Sequence, residues 1–208
     1  MPETYINLVF EDMLSERVLR KLLCRSAVTY LVGDAHNAGG FGWIKKKIKG
    51  FNDAAKGMPY LVLTDLDTSE CAAVLIRQWL NAPKHPNLLF RVAVREVEAW
   101  LLGCRESFAA FLGVPKSRIP ANVEEIPNPK EFVVNLARRS RKRDIRVAIV
   151  PEDGSTARVG PDYNGKLMLF VETSWDPAVA KANSPSLHKT IDTLDQFRPV
   201  RKAAIAQN

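Results

Sequence analysis

The sequence predicts an α/β fold: a mainly parallel sheet flanked by helices, with a helical C-terminal half packed against it. Four short apolar runs, near residues 5, 28, 60 and 89, have the length and composition of buried strands. Each run is followed by apolar residues at helical spacing, so strands and helices alternate along the chain. That alternation is typical of βαβ units in a parallel sheet.

The second half of the chain is predicted to consist of helices joined by irregular segments. Four prolines between residues 115 and 129 are too closely spaced for continuous regular structure. Helical spacing returns from Pro129 onwards. We therefore expect an α/β core over residues 1–113 and a mostly helical extension over residues 114–208, within one compact unit.

Composition and charge favour a cytoplasmic protein that binds a polyanion. No apolar stretch approaches the roughly 20 residues of a membrane span, and Glu3 stands where a signal peptide would carry positive charge. The three cysteines, Cys24, Cys71 and Cys104, lie in or beside apolar helical patterns, so we expect buried thiols rather than disulfides or a structural zinc site. A net charge of +7 and a pI near 9.4 favour binding to nucleic acid through its phosphates.

The most informative stretch is the predicted strand that begins at Tyr60 and runs into Asp65 and Asp67. Side chains alternate along a strand, so acids at i and i+2 can point the same way while Leu66 faces the core. The ligand crevice of a parallel sheet lies at the carboxyl ends of its strands, where this pair falls. Hard carboxylate oxygens there suit Mg²⁺ or Mn²⁺. The alternative is structural: Asp65 closes a turn and Asp67 caps a helix that begins near Ser69.

Two other predicted strands also end in acids. The first ends at Glu11 and Asp12, and the strand near residue 89 runs into Glu96 and Glu98. Carboxylates that converge on one sheet edge repel one another unless a cation neutralises them, which helix capping does not explain. Glu96 and Glu98 cannot share one helical face. We therefore expect one of them to face the acidic crevice and the other to cap a helix or to pair with Arg95.

Two basic segments carry much of the positive charge. The first follows a glycine-rich loop and places Trp43 beside Lys45, Lys46 and Lys47 in a predicted helix. The loop matches neither the P-loop nor the dinucleotide-binding fingerprint. An aromatic surface beside positive charge suits a nucleic-acid single strand or backbone. A solvated helix face with Trp43 packed inward would give the same pattern, so both interpretations stay open.

The second basic segment holds five cations within residues 138–143, at the end of a predicted helix. The helix dipole favours cations at a C-terminus, so the run has a structural explanation. We also expect Arg139, Arg141 and Arg143 to contact phosphates. In that case both basic segments should lie on the same side of the protein as the acidic crevice.

These motifs together resemble the Toprim catalytic domain of topoisomerases, primases and OLD-type nucleases: a strand ending in Glu11, a later strand ending in Asp65-Leu66-Asp67, and an intervening helix with basic residues. The segment Val97-Glu98-Ala99-Trp100-Leu101-Leu102 is similar to the acidic, tryptophan-bearing motif of the RloB branch. The likeness covers most of the chain, down to Ser184-Pro185-Ser186-Leu187. Asp12 departs from the glycine that usually follows the first glutamate, so either the turn is altered or Asp12 adds a ligand.

The resemblance implies a metal-binding role for Glu11, Asp65 and Asp67, with Glu98 as a further acid, and hydrolysis of phosphodiesters in nucleic acid. It also implies a setting in prokaryotic defence. The competing expectation is a non-catalytic protein whose acids cap helices and whose basic surface binds nucleic acid or an acidic partner. The choice of DNA or RNA, a protein partner or homo-oligomer, and a general-base role for His188 stay open at this stage.

Overall fold

Four parallel strands form the sheet, and a computed structural model describes the chain over residues 3–200. The strands are β1 (Thr4–Phe10), β2 (Tyr30–Asn37), β3 (Tyr60–Asp65) and β4 (Leu88–Ala93). Their order across the sheet is β2-β1-β3-β4. The α/β class and the parallel sheet flanked by helices that the sequence predicts are confirmed.

The chain reverses its direction of travel across the sheet between β1 and β3. It first moves outward from β1 to β2, then crosses back over β1 to β3 and continues to β4. Such crossovers are right-handed, so the connecting helices lie on opposite faces of the sheet. One face carries α1 (Met13–Arg25), and the other carries α2 (Phe41–Ala54) and α3 (Ala72–Leu80). The topological switch point, where open α/β sheets bind ligands, therefore lies between the carboxyl ends of β1 and β3.

Backbone pairing decides which residues meet at this switch point. β1 pairs with β3 in the register Asn7 to Tyr60, Leu8 to Leu61 and Val9 to Val62. The same register, continued past the end of β1, sets Glu11 opposite Thr64. The first acidic strand end is thus held against the second by the sheet itself.

The rest of the described chain adds helices to the apolar cluster on the α1 side of the sheet. They are α4 (Val97–Leu102), α5 (Arg105–Leu112), α6 (Pro129–Arg138), α7 (Arg143–Ile149), α8 (Tyr163–Thr173), α9 (Pro177–Ala180) and α10 (Pro185–Gln196). The cluster joins Ile6 and Leu63 of the sheet to Trp100, Phe170 and Phe197, so both halves of the chain share one core. Within residues 3–200, no helix is long and apolar enough to cross a membrane.

The second strand differs from expectation in its position. β2 begins at Tyr30 rather than near Val28 and continues to Asn37, so the first part of the predicted glycine-rich loop is strand. β2 is an edge strand, and residues 33–35 are exposed. Backbone pairing with β1 holds these residues in the sheet without any apolar pattern, which is why the sequence does not reveal them.

The expectation of three buried thiols is wrong for two of the cysteines. All three are free, but Cys24 and Cys71 are exposed and Cys104 alone is buried. Cys24 lies in the last turn of α1 and Cys71 at the N-cap of α3, where side chains point away from the core. An apolar pattern around a cysteine therefore did not place the thiol itself on the apolar face.

Candidate functional site

Glu11 bridges the ends of β1 and β3. Its Oε1 accepts hydrogen bonds from the hydroxyl of buried Thr64 and from the backbone amide of Asp65, the latter over 3.0 Å. Burial raises the pKa of Glu11, and the two hydrogen bonds oppose that shift. The carboxylate is thus held in one orientation at the topological switch point.

Asp65 occupies the last position of β3 and lies among other carboxylates. Its Oδ1 accepts a hydrogen bond from the Val97 amide over 3.0 Å, which satisfies a backbone donor in the first turn of α4. Burial raises the pKa of Asp65 well above its usual value, and the negative charges of Glu98 and Glu11 raise it further. Asp65 therefore has a capping role, and its ionised form is destabilised by its neighbours.

Asp67 follows β3 in a left-handed backbone conformation, with a φ of 49°. Its amide donates to the Arg95 carbonyl over 2.9 Å, and the Arg95 guanidinium donates to the Asp67 carbonyl over 3.0 Å. Arg95 also has a positive φ, 65°, and such conformations in residues other than glycine cluster at functional sites. The proposed cap on a helix near Ser69 is wrong, because α3 begins only at Ala72 with a different N-cap. The side chain of Asp67 is left exposed beside the switch point.

Asp12, the residue after Glu11, begins the first helix. Its Oδ1 accepts a hydrogen bond from the Ser15 amide over 2.8 Å, the usual contact of an N-cap aspartate. Its negative charge is close enough to contribute to the raised pKa of Asp65. Asp12 is therefore a structural residue at the border of the acidic cluster, which consists of Glu11, Asp65, Asp67 and Glu98.

Glu98 is the acid of α4 that faces the crevice, and it is only 2% exposed. Its Oε1 accepts a hydrogen bond from the Tyr163 hydroxyl over 3.1 Å and lies 3.6 Å from Nζ of Lys130. Burial raises the pKa of Glu98, and Lys130 opposes that shift. In return Glu98 raises the pKa of Lys130, so the ammonium stays charged and balances the buried acid.

Glu96, the other acid of this pair, holds the start of α6. Its Oε2 accepts a hydrogen bond from the Lys130 amide over 2.7 Å, so Glu96 binds the backbone of Lys130 while Glu98 binds its ammonium. A cavity of about 460 Å³ adjoins this arrangement, and its lining includes Glu96, Asn128, Lys130, Glu131 and Arg158. Lys130 and Arg158 bring positive charge to the border of the acidic cluster.

The oxygen donors at the switch point suit a hard divalent cation. Glu11, Asp65 and Asp67 offer carboxylates, the ligands that Mg²⁺ prefers in proteins. Among the described residues, Oε2 of Glu11 and Oδ2 of Asp65 accept no hydrogen bond. Desolvation raises the pKa of all three acids, so a positive charge among them would stabilise their ionised forms. Residues 3–200 contain no ready-made set of three acidic, histidine or cysteine ligands, so the fit rests on this donor chemistry.

The two basic segments lie on opposite faces of the sheet. The lysines at 45–47 are exposed on α2, which packs on the α3 side. The cations of residues 138–143 are exposed between α6 and α7, on the α1 side. α6 starts at the acidic cluster with Lys130, and its axis carries the basic run about 12 Å away from that residue. The sequence analysis expected both segments on the same side as the acidic crevice, but their helices pack on opposite faces of the sheet.

Lys142 has a structural role within the second basic segment. Its Nζ donates to the carbonyls of Ala110 and Phe111, over 2.9 and 3.0 Å, at the C-terminal end of α5. The contact is of the helix-dipole kind, but it is made to α5 and not to α6, the helix at whose end the sequence analysis placed this effect. Arg139, Arg141 and Arg143 are exposed, so they remain available to a ligand.

Lys130 is the residue of this site that sequence reasoning missed. The proline before it predicted a helix start but no contact with an acid 32 positions earlier in the chain. His188, in contrast, is exposed on α10 with its Nε2 3.4 Å from Asp192.

The fold and site together define an α/β protein with an acidic cluster at the switch point of its sheet. No family model, no curated protein and no solved structure matches this chain.

Proposed function

We propose that this protein is a divalent-metal-dependent phosphodiesterase, a nuclease that acts on nucleic acid. One observation carries the proposal: Glu11, Asp65 and Asp67 come from the ends of two neighbouring strands at the topological switch point. Open α/β sheets bind ligands at this position, and carboxylates there suit Mg²⁺ or Mn²⁺. The net charge of +7 supports a polyanionic substrate.

In this proposal Glu11, Asp65 and Asp67 hold the metal ion, with Glu98 as a further acid behind them. When bound, the ion supplies polarisation of the scissile phosphate and a lowered pKa for an attacking water. Glu11 is anchored through Oε1 by Thr64 and Asp65, so its other oxygen keeps a constant direction. That oxygen acts as a metal ligand or, in the alternative arrangement, as the general base.

Lys130 and Arg158 neutralise the charge that develops on the phosphate. Both line the cavity beside the acidic cluster. Lys130 is fixed from two sides, because its amide is bound by Glu96 and its ammonium lies 3.6 Å from Glu98. A cation held in advance at that place stabilises developing negative charge without further reorganisation.

The resemblance to Toprim and RloB proteins supports the same assignment. It gives Glu11, Asp65 and Asp67 the metal-binding role that the donor chemistry also favours. It further suggests prokaryotic defence as the biological setting, and the composition of the chain favours the cytoplasm.

Metal-dependent cleavage tests this proposal. Single-stranded and duplex DNA and RNA are incubated with the purified protein in Mg²⁺, in Mn²⁺ or in EDTA. We expect cleavage only with metal, and its loss in Asp65→Asn, which keeps the hydrogen-bond acceptor for Val97. The matched control is Asp176→Asn, an exposed N-cap of α9 that should remain active. The proposal would be contradicted if the protein cleaves none of these substrates with either metal ion.

A non-catalytic interaction protein is the second candidate. The observation in its favour is that Asp12, Asp65 and Glu96 each accept a hydrogen bond from a backbone amide at a helix start. In that case these acids only organise helices, and the basic surfaces bind nucleic acid or an acidic partner. This candidate predicts salt-sensitive binding with no cleavage and no response to metal.

A further inference from the structure

Two exposed aromatic side chains stand at the start of α2, each supported by another ring. Phe41 is 50% exposed and stacks on Trp79, with ring centroids 6.3 Å apart and planes 27° from parallel. Trp43 is 38% exposed and leans on Phe51 at 5.8 Å. Both rings therefore have an inner contact that fixes them and surface left toward solvent. Trp43 is therefore not packed fully inward, which was the alternative interpretation of this segment.

Four lysines lie on the exposed face of the same helix, between the flanks that carry the two rings. Ile44 and Ile48 are completely buried and set the inner face of α2, which leaves Lys45, Lys46, Lys47 and Lys49 exposed. Residues four apart are neighbours on a helix, so Phe41, Lys45 and Lys49 follow one line, and Trp43 and Lys47 follow a second line on the other flank of the exposed face. Within residues 3–200 none of these four lysines forms a salt bridge, so their charge is not neutralised by the chain.

This surface starts beside the acidic cluster. The amide of Ala38 donates to the carbonyl of Phe10 over 2.8 Å, directly before Glu11. Phe41 is three residues further along the chain, a span of at most about 10 Å. Gly42 and Gly50 have no heavy atom within 4 Å of where a Cβ would stand, so the helix surface is open at both positions. A chain that lies along α2 would therefore reach the switch point.

We infer that the exposed face of α2 binds single-stranded nucleic acid that crosses the helix, with one base stacked on Phe41 at one flank, another on Trp43 at the other flank, and phosphates held by the lysines at 45–49. The inference rests on the proposed function, because it names the form of substrate that the acidic site receives. Exposed rings beside uncompensated cations are the two elements of single-strand binding sites. Only unpaired bases can leave their stack to contact such rings, so a duplex would engage the lysines alone.

Tryptophan fluorescence in EDTA tests the inference without any cleavage. Trp100 and Trp175 are buried and Trp79 is 9% exposed, so Trp43 is the tryptophan that a ligand reaches most easily. We expect short oligothymidylate or oligouridylate to quench the fluorescence, and Trp43→Phe to remove most of the quenching. A duplex of the same length should quench little. The quenching by single strand and the comparison with duplex are measured on the natural protein, so they do not depend on a variant folding correctly.

Affinity measured by fluorescence anisotropy gives the second arm. Phe41→Ala and Trp43→Ala should each weaken binding of the labelled oligonucleotide about 5-fold to 100-fold, the range found for a lost base-stacking contact. The control is Tyr5→Ala, because Tyr5 is 56% exposed but lies at the opposite end of the sheet. That variant should bind like the natural protein.

The inference is overturned by a lack of tryptophan quenching, by equal affinity for single strand and duplex, or by unchanged affinity in both aromatic variants. Capture of a protein partner by α2 instead, with no oligonucleotide binding, would overturn it as well. Loss of the proposed nuclease activity is a separate result. Binding in EDTA can persist when no substrate is cleaved, and cleavage can occur when the aromatic variants bind normally.

Discussion

The carboxylate of Glu11 accepts a hydrogen bond from the backbone amide of Asp65 over 3.0 Å, which joins the ends of two neighbouring strands where the chain reverses its path across the sheet. The strand register brings this contact about, since it sets Glu11 opposite Thr64. The contact keeps two acids together whose charges repel. The fold thus maintains an electrostatic conflict that a bound cation would relieve.

The first prediction concerns Glu11 itself. Glu11→Ala should lower the free energy of unfolding by about 1–3 kcal/mol, because the buried Thr64 hydroxyl and the Asp65 amide lose their acceptor. Glu11→Gln keeps an acceptor oxygen and removes a negative charge, so it should be much less destabilising. Urea denaturation of both variants measures the difference. Equal losses in the two variants would show that the bridge to Asp65 does not depend on the acceptor.

The second prediction is a pH dependence of the metal-free protein. The pKa of Asp65 is raised well above its usual value of 3.8, so the folded state binds more protons than the unfolded state between the two values. The stability from this group is present below about pH 4 and is lost as pH rises through the raised pKa. We therefore expect Asp65 to lower the unfolding free energy as pH rises above about 4, a loss that Asp65→Asn abolishes.

Melting temperatures in EDTA across this pH range measure the effect. Lys130 does not change the unfolding free energy over this pH range. Its pKa is raised, so the stability that it provides is lost only at strongly alkaline pH. Parallel pH profiles for the natural protein and Asp65→Asn would show that Asp65 is not the group responsible.

The third prediction separates Lys130 from ordinary surface lysines. Lys130→Met leaves the buried Glu98 carboxylate without its cation and should cost about 1–3 kcal/mol of unfolding free energy. Adding Glu98→Gln should recover part of that loss, because it removes the buried charge and the neutral amide can still accept a hydrogen bond from the Tyr163 hydroxyl. Lys166→Met is the control, since Lys166 pairs with an exposed aspartate and should change stability by less than about 1 kcal/mol. If the two replacements change the free energy of unfolding additively, Lys130 and Glu98 do not interact.

The fourth prediction concerns the exposed arginines of the second basic segment. Charge reversal at Arg139, Arg141 and Arg143 should weaken nucleic-acid binding and reduce the slope of log affinity against log salt by about 3, one unit for each lost phosphate contact. Lys142 is left intact because it holds the end of α5.

The matched control for this charge reversal is a set of three exposed cations outside the run: Arg25, Arg118 and Lys189. Filter binding at several salt concentrations gives both quantities. If the two triple variants behave alike, the second basic segment acts only through net charge.

The acidic strand ends were predictable because each feature is local. An apolar run followed by acids marks a buried strand and its carboxyl end, and parallel pairing brings such ends together. The ends of β1 and β3 meet for that reason, and the register of the two strands then sets Glu11 opposite Thr64.

Contacts across long stretches of sequence were not predictable. Lys130 reaches Glu98 after a proline-rich connection whose path depends on the burial of Ile119, Val123 and Ile126. No local pattern records that path. The strand over residues 30–37 was misplaced for a related reason, since its outer half is held by backbone pairing and leaves no periodic signal.

The central claim is that the acids of the switch point form a cation site, and thermal denaturation with and without metal tests it most directly. A ligand that binds only the folded state raises the melting temperature by mass action. We expect Mg²⁺ or Mn²⁺ to do so for the natural protein. Asp65→Asn combined with Asp67→Asn should abolish the response and raise the melting temperature in EDTA, because repulsion among the carboxylates is relieved.

Asp153→Asn combined with Asp176→Asn, two exposed acids outside the cluster, should leave the metal response intact. A purely structural role for the acids predicts a different pattern, in which millimolar metal has no effect on the natural protein and the double variant is no more stable than the natural protein in EDTA, because Asp65→Asn keeps the acceptor for Val97 and Asp67 is not the N-cap of α3. That pattern would contradict the cation site. An increase in melting temperature with metal that disappears in the Asp65 and Asp67 double variant is the result that this account predicts.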